Sequence, residues 1–241
     1  MTTVSLKLEY FGISDVGLVR TNNEDIWSVI PGKQFFILAD GMGGHKAGEI
    51  AASFAVESMC TAIESLPDQT NVEEVCQFLR AAIGKANSLV FEEAHRHLDY
   101  AGMGTTLSCF VVLEKYLVYG HVGDSRLYRF RKKLVQLTED HSLRQAVGYR
   151  EDPTHPLMRN VITRAIGTQA LVLPDIGVIP LQSKDLYMLC SDGLTDYVDP
   201  SKISSVLSSS FSLEEMGKSL VKLALEKGGN DNITLLLVRI A

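Results

Sequence analysis

Phe35-Phe36-Ile37-Leu38-Ala39-Asp40-Gly41-Met42-Gly43-Gly44 places a carboxylate directly after an apolar run and follows it with glycines. The run is too short for a typical helix and reads as a buried strand. The glycines allow tight bends and close backbone approach. An aspartate at the end of a buried strand is costly unless a cation accompanies it. The same order returns at Leu186-Tyr187-Met188-Leu189-Cys190-Ser191-Asp192-Gly193, and in shorter form at Tyr119-Gly120-His121-Val122-Gly123-Asp124. Asp231, in Gly228-Gly229-Asn230-Asp231-Asn232, precedes the apolar run 233–238. Acids of this kind predict one acidic cage assembled from distant parts of the chain. Its hard oxygen donors select magnesium or manganese over zinc.

Length and composition set the frame. A chain of 241 residues fits one domain, 1–241, with ample core. Apolar content of 46% and charged content of 22% are those of a soluble globular protein. A net charge of -6 gives no electrostatic footprint for nucleic acid. Cys60, Cys76, Cys109 and Cys190 lack close pairing or metal-site spacing and read as buried thiols of a reducing compartment. No apolar run reaches membrane-spanning length, and residues 1–10 do not form a signal peptide. The expectation is a cytoplasmic protein with neither membrane nor nucleic-acid partners.

Outward from the opening stretch, Leu6, Leu8 and Tyr10 alternate as in an opening strand, Ser14 to Gly17 turn, and 26–30 form a strand that Pro31-Gly32 turns into the Phe35 strand. Residues 47–66 have helical composition. Asn71, with Glu74 three positions on, caps a second helix whose stripe runs through Val72, Val75, Leu79, Ile83, Ala86 and Val90 to about Leu98. The period then changes. Strands are expected at 105–113, 116–122, 126–130 and 134–137, with a hairpin at Glu114-Lys115 and a solvated basic turn at Arg131-Lys132-Lys133. Residues 141–163, broken by Pro153 and Pro156, read as a long surface loop. Strands resume at 171–179 and 186–190, helices at 200–207 and 213–226, and the chain closes on a strand at 233–240. Strands in runs beside consecutive helices make an α+β fold with helices packed outside sheets.

An isolated Asp-Gly is an ordinary turn, because the carboxylate accepts backbone hydrogen bonds. Asp40, Asp192 and Asp231, each beside an apolar strand and joined by Asp124, form a set that chance turns do not explain. Two dications bridged by a shared aspartate hold water as hydroxide and clamp a phosphoryl oxygen for in-line attack.

Val19-Arg20 with Asn23-Glu24-Asp25, the run from Ala39 to His45, Gly104-Thr105-Thr106, Gly123-Asp124-Ser125-Arg126, Ser191-Asp192-Gly193 and Asp231-Asn232 together resemble the metal-dependent protein phosphatases of type 2C, in the bacterial branch. The resemblance implies a central β-sandwich of two antiparallel sheets flanked by α-helices, with two Mn2+ or Mg2+ ions at one end. It makes Asp40 the bridging ligand and the Gly41 carbonyl a ligand of the first metal. Asp192 and Asp231 become ligands of the second, and Glu24 the acid that orients metal-bound water. Arg20 becomes the grip on substrate phosphate, which suits a planar guanidinium fork. Asp124 resembles a ligand of a third, weaker metal site shared with Asp192. Arg126 is expected in an ion pair that buttresses the cage acids. Met42 stands where some relatives carry a proposed proton-donating histidine; His45, His121 and His141 do not replace it by position. The segment after Asp140-His141-Ser142 is shorter than the flap usual in bacterial members.

The implied activity is hydrolysis of phosphoserine and phosphothreonine in proteins by a metal-bridging hydroxide. The implied partners are phosphorylated proteins, including a serine/threonine kinase and its targets, met by a monomer. Two rivals stand beside it: a hydrolase of small phosphoesters on the same cage, and a catalytically silent module that binds phosphoproteins.

Overall fold

A computed structural model describes residues 6–43, 47–143 and 161–241. Gly44, His45 and most of the expected 141–163 loop, with its shortened flap, lie outside these residues. Two antiparallel sheets stack face to face. One orders β1 (Leu8–Asp15), β11 (Ile233–Ile240), β10 (Leu186–Cys190), β7 (Arg126–Phe130) and β8 (Leu134–Gln136) side by side. The other orders β2 (Asp25–Ile30), β3 (Phe35–Met42), β5 (Leu107–Val112), β6 (Tyr116–Val122) and β9 (Asp175–Pro180), with β4 (Gly104–Thr105) attached to β3. Helices α1 (Ala47–Glu64) and α2 (Val72–Arg96) cover the second sheet. The first is covered by α4 (Pro200–Leu207) and α5 (Leu213–Glu226), while the short α3 (Asp192–Thr195) follows β10.

β3 explains why its sequence is apolar without alternation. Phe35, Ile37 and Ala39 face α1 and α2, where they pack with Ala51, Met59, Leu79 and Ile83. Phe36 and Leu38 face the other sheet, among Phe110, Tyr187, Leu189 and Leu236. With both faces covered, every position gains by leaving water, at roughly 1.5–3 kcal/mol for each large side chain. A third apolar layer joins Met188, Leu235 and Leu237 to Met216, Leu220 and Val221 of α5. The order is therefore helix, sheet, sheet, helix.

The Asn71 cap is formed as a reciprocal box. The Glu74 N–H donates to Asn71 Oδ1 at 3.0 Å, and the Asn71 N–H donates to Glu74 Oε2 at 2.9 Å. Ser212 and Glu215 repeat the device at the start of α5.

Five expectations need correction. β3 does not stop at Asp40: it continues to Met42 and changes partner, from β5 to β4. The single strand expected at 105–113 is accordingly split at Thr106, whose N–H and hydroxyl close on the Asp40 backbone. β1 runs through Ser14 and Asp15, where a turn was expected, because β11 pairs with it to that point. Regular pairing of the strand expected at 171–179 begins only at Asp175, leaving Leu171 and Leu173 exposed. The described root of the 141–163 loop is also not surface: His141 and Ser142 are buried, and Ser142 bridges Ile162.

Candidate active site

Loops at one end of the sandwich bring the expected residues together. Arg20, Glu24, Asp40, Gly41, Asp124, Asp192 and Asp231 all line one cavity of about 480 Å³, and Met42, Gly43, Val161, Ile162 and Asn232 are the other described residues of its wall. β3 carries Asp40 and Gly41, α3 begins on Asp192, and Asp124 lies between β6 and β7. Asp231 stands just before β11, and Glu24 just before β2.

Close backbone contact makes this convergence possible. A Cβ on Gly193 would lie 1.9 Å from the Asn232 carbonyl oxygen, and one on Gly41 would lie 2.1 Å from that of Gly48. Asn232 then ties down the Arg20 and Glu24 loop. Its amide donates to the carbonyls of Val16 (3.0 Å) and Asn22 (2.9 Å), and its Oδ1 accepts the Glu24 N–H at 2.8 Å. Nothing local in the sequence distinguishes this Asn232 clamp from a turn asparagine.

Asp25 likewise stands out in the sequence only as part of its motif. It sits opposite Asp40 in the β2–β3 register. Its Oδ2 accepts from Ser191 Oγ at 2.8 Å, whereas Oδ1 is buried without a hydrogen-bond partner. The available signal was its position as the second acid of Asn23-Glu24-Asp25, at the mouth of an apolar strand.

The cavity is crowded with negative charge. Loss of water, then Asp25 and Asp192, push the Asp40 carboxyl well above its ordinary pKa. Desolvation, then Asp124, does the same to Asp192. Desolvation also raises Asp25 and Asp124 to about 6, and raises Glu24. Arg20 is the cation lining this wall among the described residues. Its Nη2 lies 2.9 Å from Asp231 Oδ2. Burial works against the guanidinium's charge, but Asp231 outweighs it and holds the pKa above the usual value.

Among the described residues no three acid, histidine or cysteine side chains stand close enough to hold a metal ion as they are. The donor chemistry still fits hard dications: several carboxylates, a backbone carbonyl at Gly41, and an orphaned anionic oxygen on Asp25.

Arg126 departs from expectation. It does not pair with a cage acid; Nε lies 2.9 Å and 3.0 Å from the two Asp140 oxygens, and Nη2 lies 2.7 Å from Oδ2. The fork geometry of Asp140 wins over the adjacent Asp124. No histidine is among the described residues of the cavity wall. His121 is a core residue, held by Ser108 Oγ at 2.8 Å and the Glu139 carbonyl at 3.1 Å.

Two antiparallel sheets between helical layers, with acids gathered at one end, define the architecture of the type 2C protein phosphatases. The protein phosphatase 2C profile matches residues 19–226, and the chain belongs to that family. It is 38% identical over 234 residues to the serine/threonine phosphatase stp of Listeria welshimeri, covering 93% of each chain. It is 37% identical over 239 residues to the protein phosphatase PhpP of Streptococcus pneumoniae, covering 94% of this chain and 95% of that one. The serine/threonine phosphatase of S. agalactiae superposes with a TM-score of 0.90 at 33% identity, over 98% of this chain and 100% of that one. The catalytic domain of the phosphatase PstP, solved in complex with two manganese ions, superposes with a TM-score of 0.85 at 33% identity, over 96% and 97% of the two chains.

Proposed function

We propose that this chain is one catalytic domain that hydrolyses phosphoserine and phosphothreonine in proteins, using manganese or magnesium held in the acidic cavity. The convergence of Asp40, Gly41, Asp192 and Asp231 with Arg20 on one wall carries the reading. The relatives named phosphatases, and PstP with its two manganese ions, support it. Asp40 would bridge two ions, Gly41 would add its carbonyl, and Asp192 and Asp231 would hold the second ion. The bound dications supply hydroxide at neutral pH and neutralise the phosphoryl oxygens.

The remaining work falls to this chain's own side chains. Arg20 swings from Asp231 to the incoming phosphate, where its fork takes two oxygens. Glu24, fixed by Asn232, accepts hydrogen bonds from ordered water. Asp25, locked by Ser191, backs Asp40. Asp124 and Asp192 would hold a third, weaker ion between them. Met42 has no proton to give, and water is the donor proposed for the leaving oxygen. The cysteines are free, which suits a reducing compartment such as the cytoplasm. The proposed partners are phosphorylated proteins, among them a serine/threonine kinase and its targets, met by a monomer.

The test is phosphate release by chelated protein before and after manganese is added, with a phosphothreonine peptide and a sugar phosphate as parallel substrates. The expected result is manganese-dependent turnover of the peptide in clear excess over the sugar. Preference for the sugar phosphate would make the chain a small-phosphoester hydrolase. Peptide binding without any turnover would make it a binding module.

A further inference from the structure

We propose that His141 is a positioning residue for Asp124: it clamps the turn before that acid to the 161–164 segment and to the start of β9. The proposal rests on the role proposed above for Asp124. Gly123, the residue before Asp124, spends both backbone polar groups on His141. The His141 N–H donates to the Gly123 carbonyl at 2.7 Å, and the Gly123 N–H donates to His141 Nδ1 at 3.1 Å. Gly123 holds φ +112°, and a Cβ there would lie 2.6 Å from the Thr106 side chain. The turn therefore has little freedom once the clamp is closed. On its other side the His141 carbonyl accepts the Thr163 N–H at 2.8 Å, and the Leu143 N–H donates to the Val161 carbonyl at 2.9 Å. Val161 and Ile162 line the active-site cavity. One buried residue thus joins two walls of the site.

Chemistry fixes the ring's proton. A peptide N–H can only donate, so Nδ1 carries the lone pair and Nε2 the hydrogen. Nε2–H points to Asp175 Oδ2 at 3.1 Å, and Asp175 Oδ1 takes Arg164 Nη1 at 2.9 Å. The approach of Arg164 Nη1 to Nε2, at 2.9 Å, is then a contact and not a hydrogen bond. Burial holds this ring below its ordinary pKa although Asp175 pulls upward, in keeping with the neutral form. The His121 ring packs on it at a centroid distance of 4.8 Å. His121 also has both ring nitrogens satisfied, as a buried histidine must, but its partners are Ser108 and the Glu139 carbonyl; His141 differs in spending Nδ1 on the residue before Asp124.

Two substitutions separate the roles. In His141→Asn, Oδ1 falls where Nδ1 lies and still accepts the Gly123 N–H, but the side chain cannot reach Asp175. In His141→Gln, the amide reaches toward Asp175 and leaves the Gly123 N–H without an acceptor. Amide hydrogen exchange at Gly123 in chelator reads the clamp directly. Manganese titration by calorimetry, peptide kcat and KM, and melting temperature read its consequences.

His141→Gln is expected to expose the Gly123 amide, keep the tight manganese ions, weaken the weak manganese step, and lose kcat by roughly tenfold with little change in KM. His141→Asn is expected to stay within about twofold of wild type in kcat, because the Asp124 turn remains held. Losses by both variants that merely follow the fraction folded would overturn the proposal, as would a Gln variant equal to wild type. If the wild type shows no manganese-dependent turnover, the phosphatase reading fails, and the Gly123 exchange and manganese-binding comparisons still decide the clamp.

Discussion

Arg20 and Asp231 meet through one 2.9 Å contact, with half of the arginine side chain in solvent. An exposed pair of this kind is worth about 0–1 kcal/mol, so stability does not account for a guanidinium at this wall. Arg20→Ala should leave the melting temperature within a few degrees and raise KM for a phosphopeptide by roughly tenfold, the mark of lost ground-state binding. Arg20→Lys should recover only part, because it keeps the charge and loses the fork. Unchanged peptide kinetics in Arg20→Ala would return it to the ordinary surface. Asp124 yields a second prediction from its neighbours. Since Arg126 is satisfied by Asp140, removing Asp124 strands no cation. Asp124→Ala should therefore melt near wild type and bind two manganese ions, yet lose the millimolar manganese dependence, an order-of-magnitude scale for a water-rich oxygen site. A large fall in melting temperature with intact turnover per folded molecule would contradict it. The cage acids were legible in the sequence because each stands beside an apolar strand with a glycine within two positions. Asp25 and Asn232 gave no such signal for their roles: their partners, Ser191 and the Val16–Asn22 carbonyls, lie far away in sequence.

Among elements, those with local stop and start chemistry were readable. The Asn71 box marks α2, and β6, β7, β10 and β11 fall where their apolar runs do. The break between β4 and β5 was not readable, because it depends on Thr105 and Thr106 closing on Asp40 across more than sixty residues. Two substitutions contrast a structural with a functional element. Asn71→Ala removes a cap far from the cavity and should cost about 1 kcal/mol, with turnover unchanged. Gly193→Ala forces a methyl into the Asn232 carbonyl between Asp192 and Asp231. Relief must come from backbone movement, so it should cost roughly 1–3 kcal/mol in stability and also lower turnover per folded molecule. Equal turnover by the two variants in activity and thermal-melt assays would show that the Gly193 approach does not set the site.

At the scale of the whole molecule, the alternation of buried faces decides the layering, and the acidic end decides its pH response. Asp25 and Asp124 hold folded pKa values of about 6 against a reference of 3.8, so the folded chain binds more protons between those values. Their contribution is fully present below about pH 4 and is lost as pH rises through 6. Asp40 and Asp192 act in the same direction. His121, lowered to about 4 from 6.5 by burial, and His141, also lowered by burial, oppose them, because the unfolded chain takes up those protons first as pH falls. The acids outnumber the two histidines. In chelator the melting temperature should therefore fall between pH 5 and pH 7.5, and saturating manganese should flatten or reverse that slope. A rise with pH in chelator would contradict the charge crowding. The fold as a whole was legible because apolar runs, caps and glycine-flanked acids agreed with one another; the pairing that draws distant loops together was visible only in three dimensions. The central claim, that these acids hold catalytic dications, is tested most directly by measuring manganese stoichiometry and phosphopeptide turnover together on wild type and Asp192→Ala. The expected result is loss of one tightly bound ion and a fall in kcat of at least roughly a hundredfold in a folded variant. A folded Asp192→Ala with near-normal turnover at saturating manganese would contradict it.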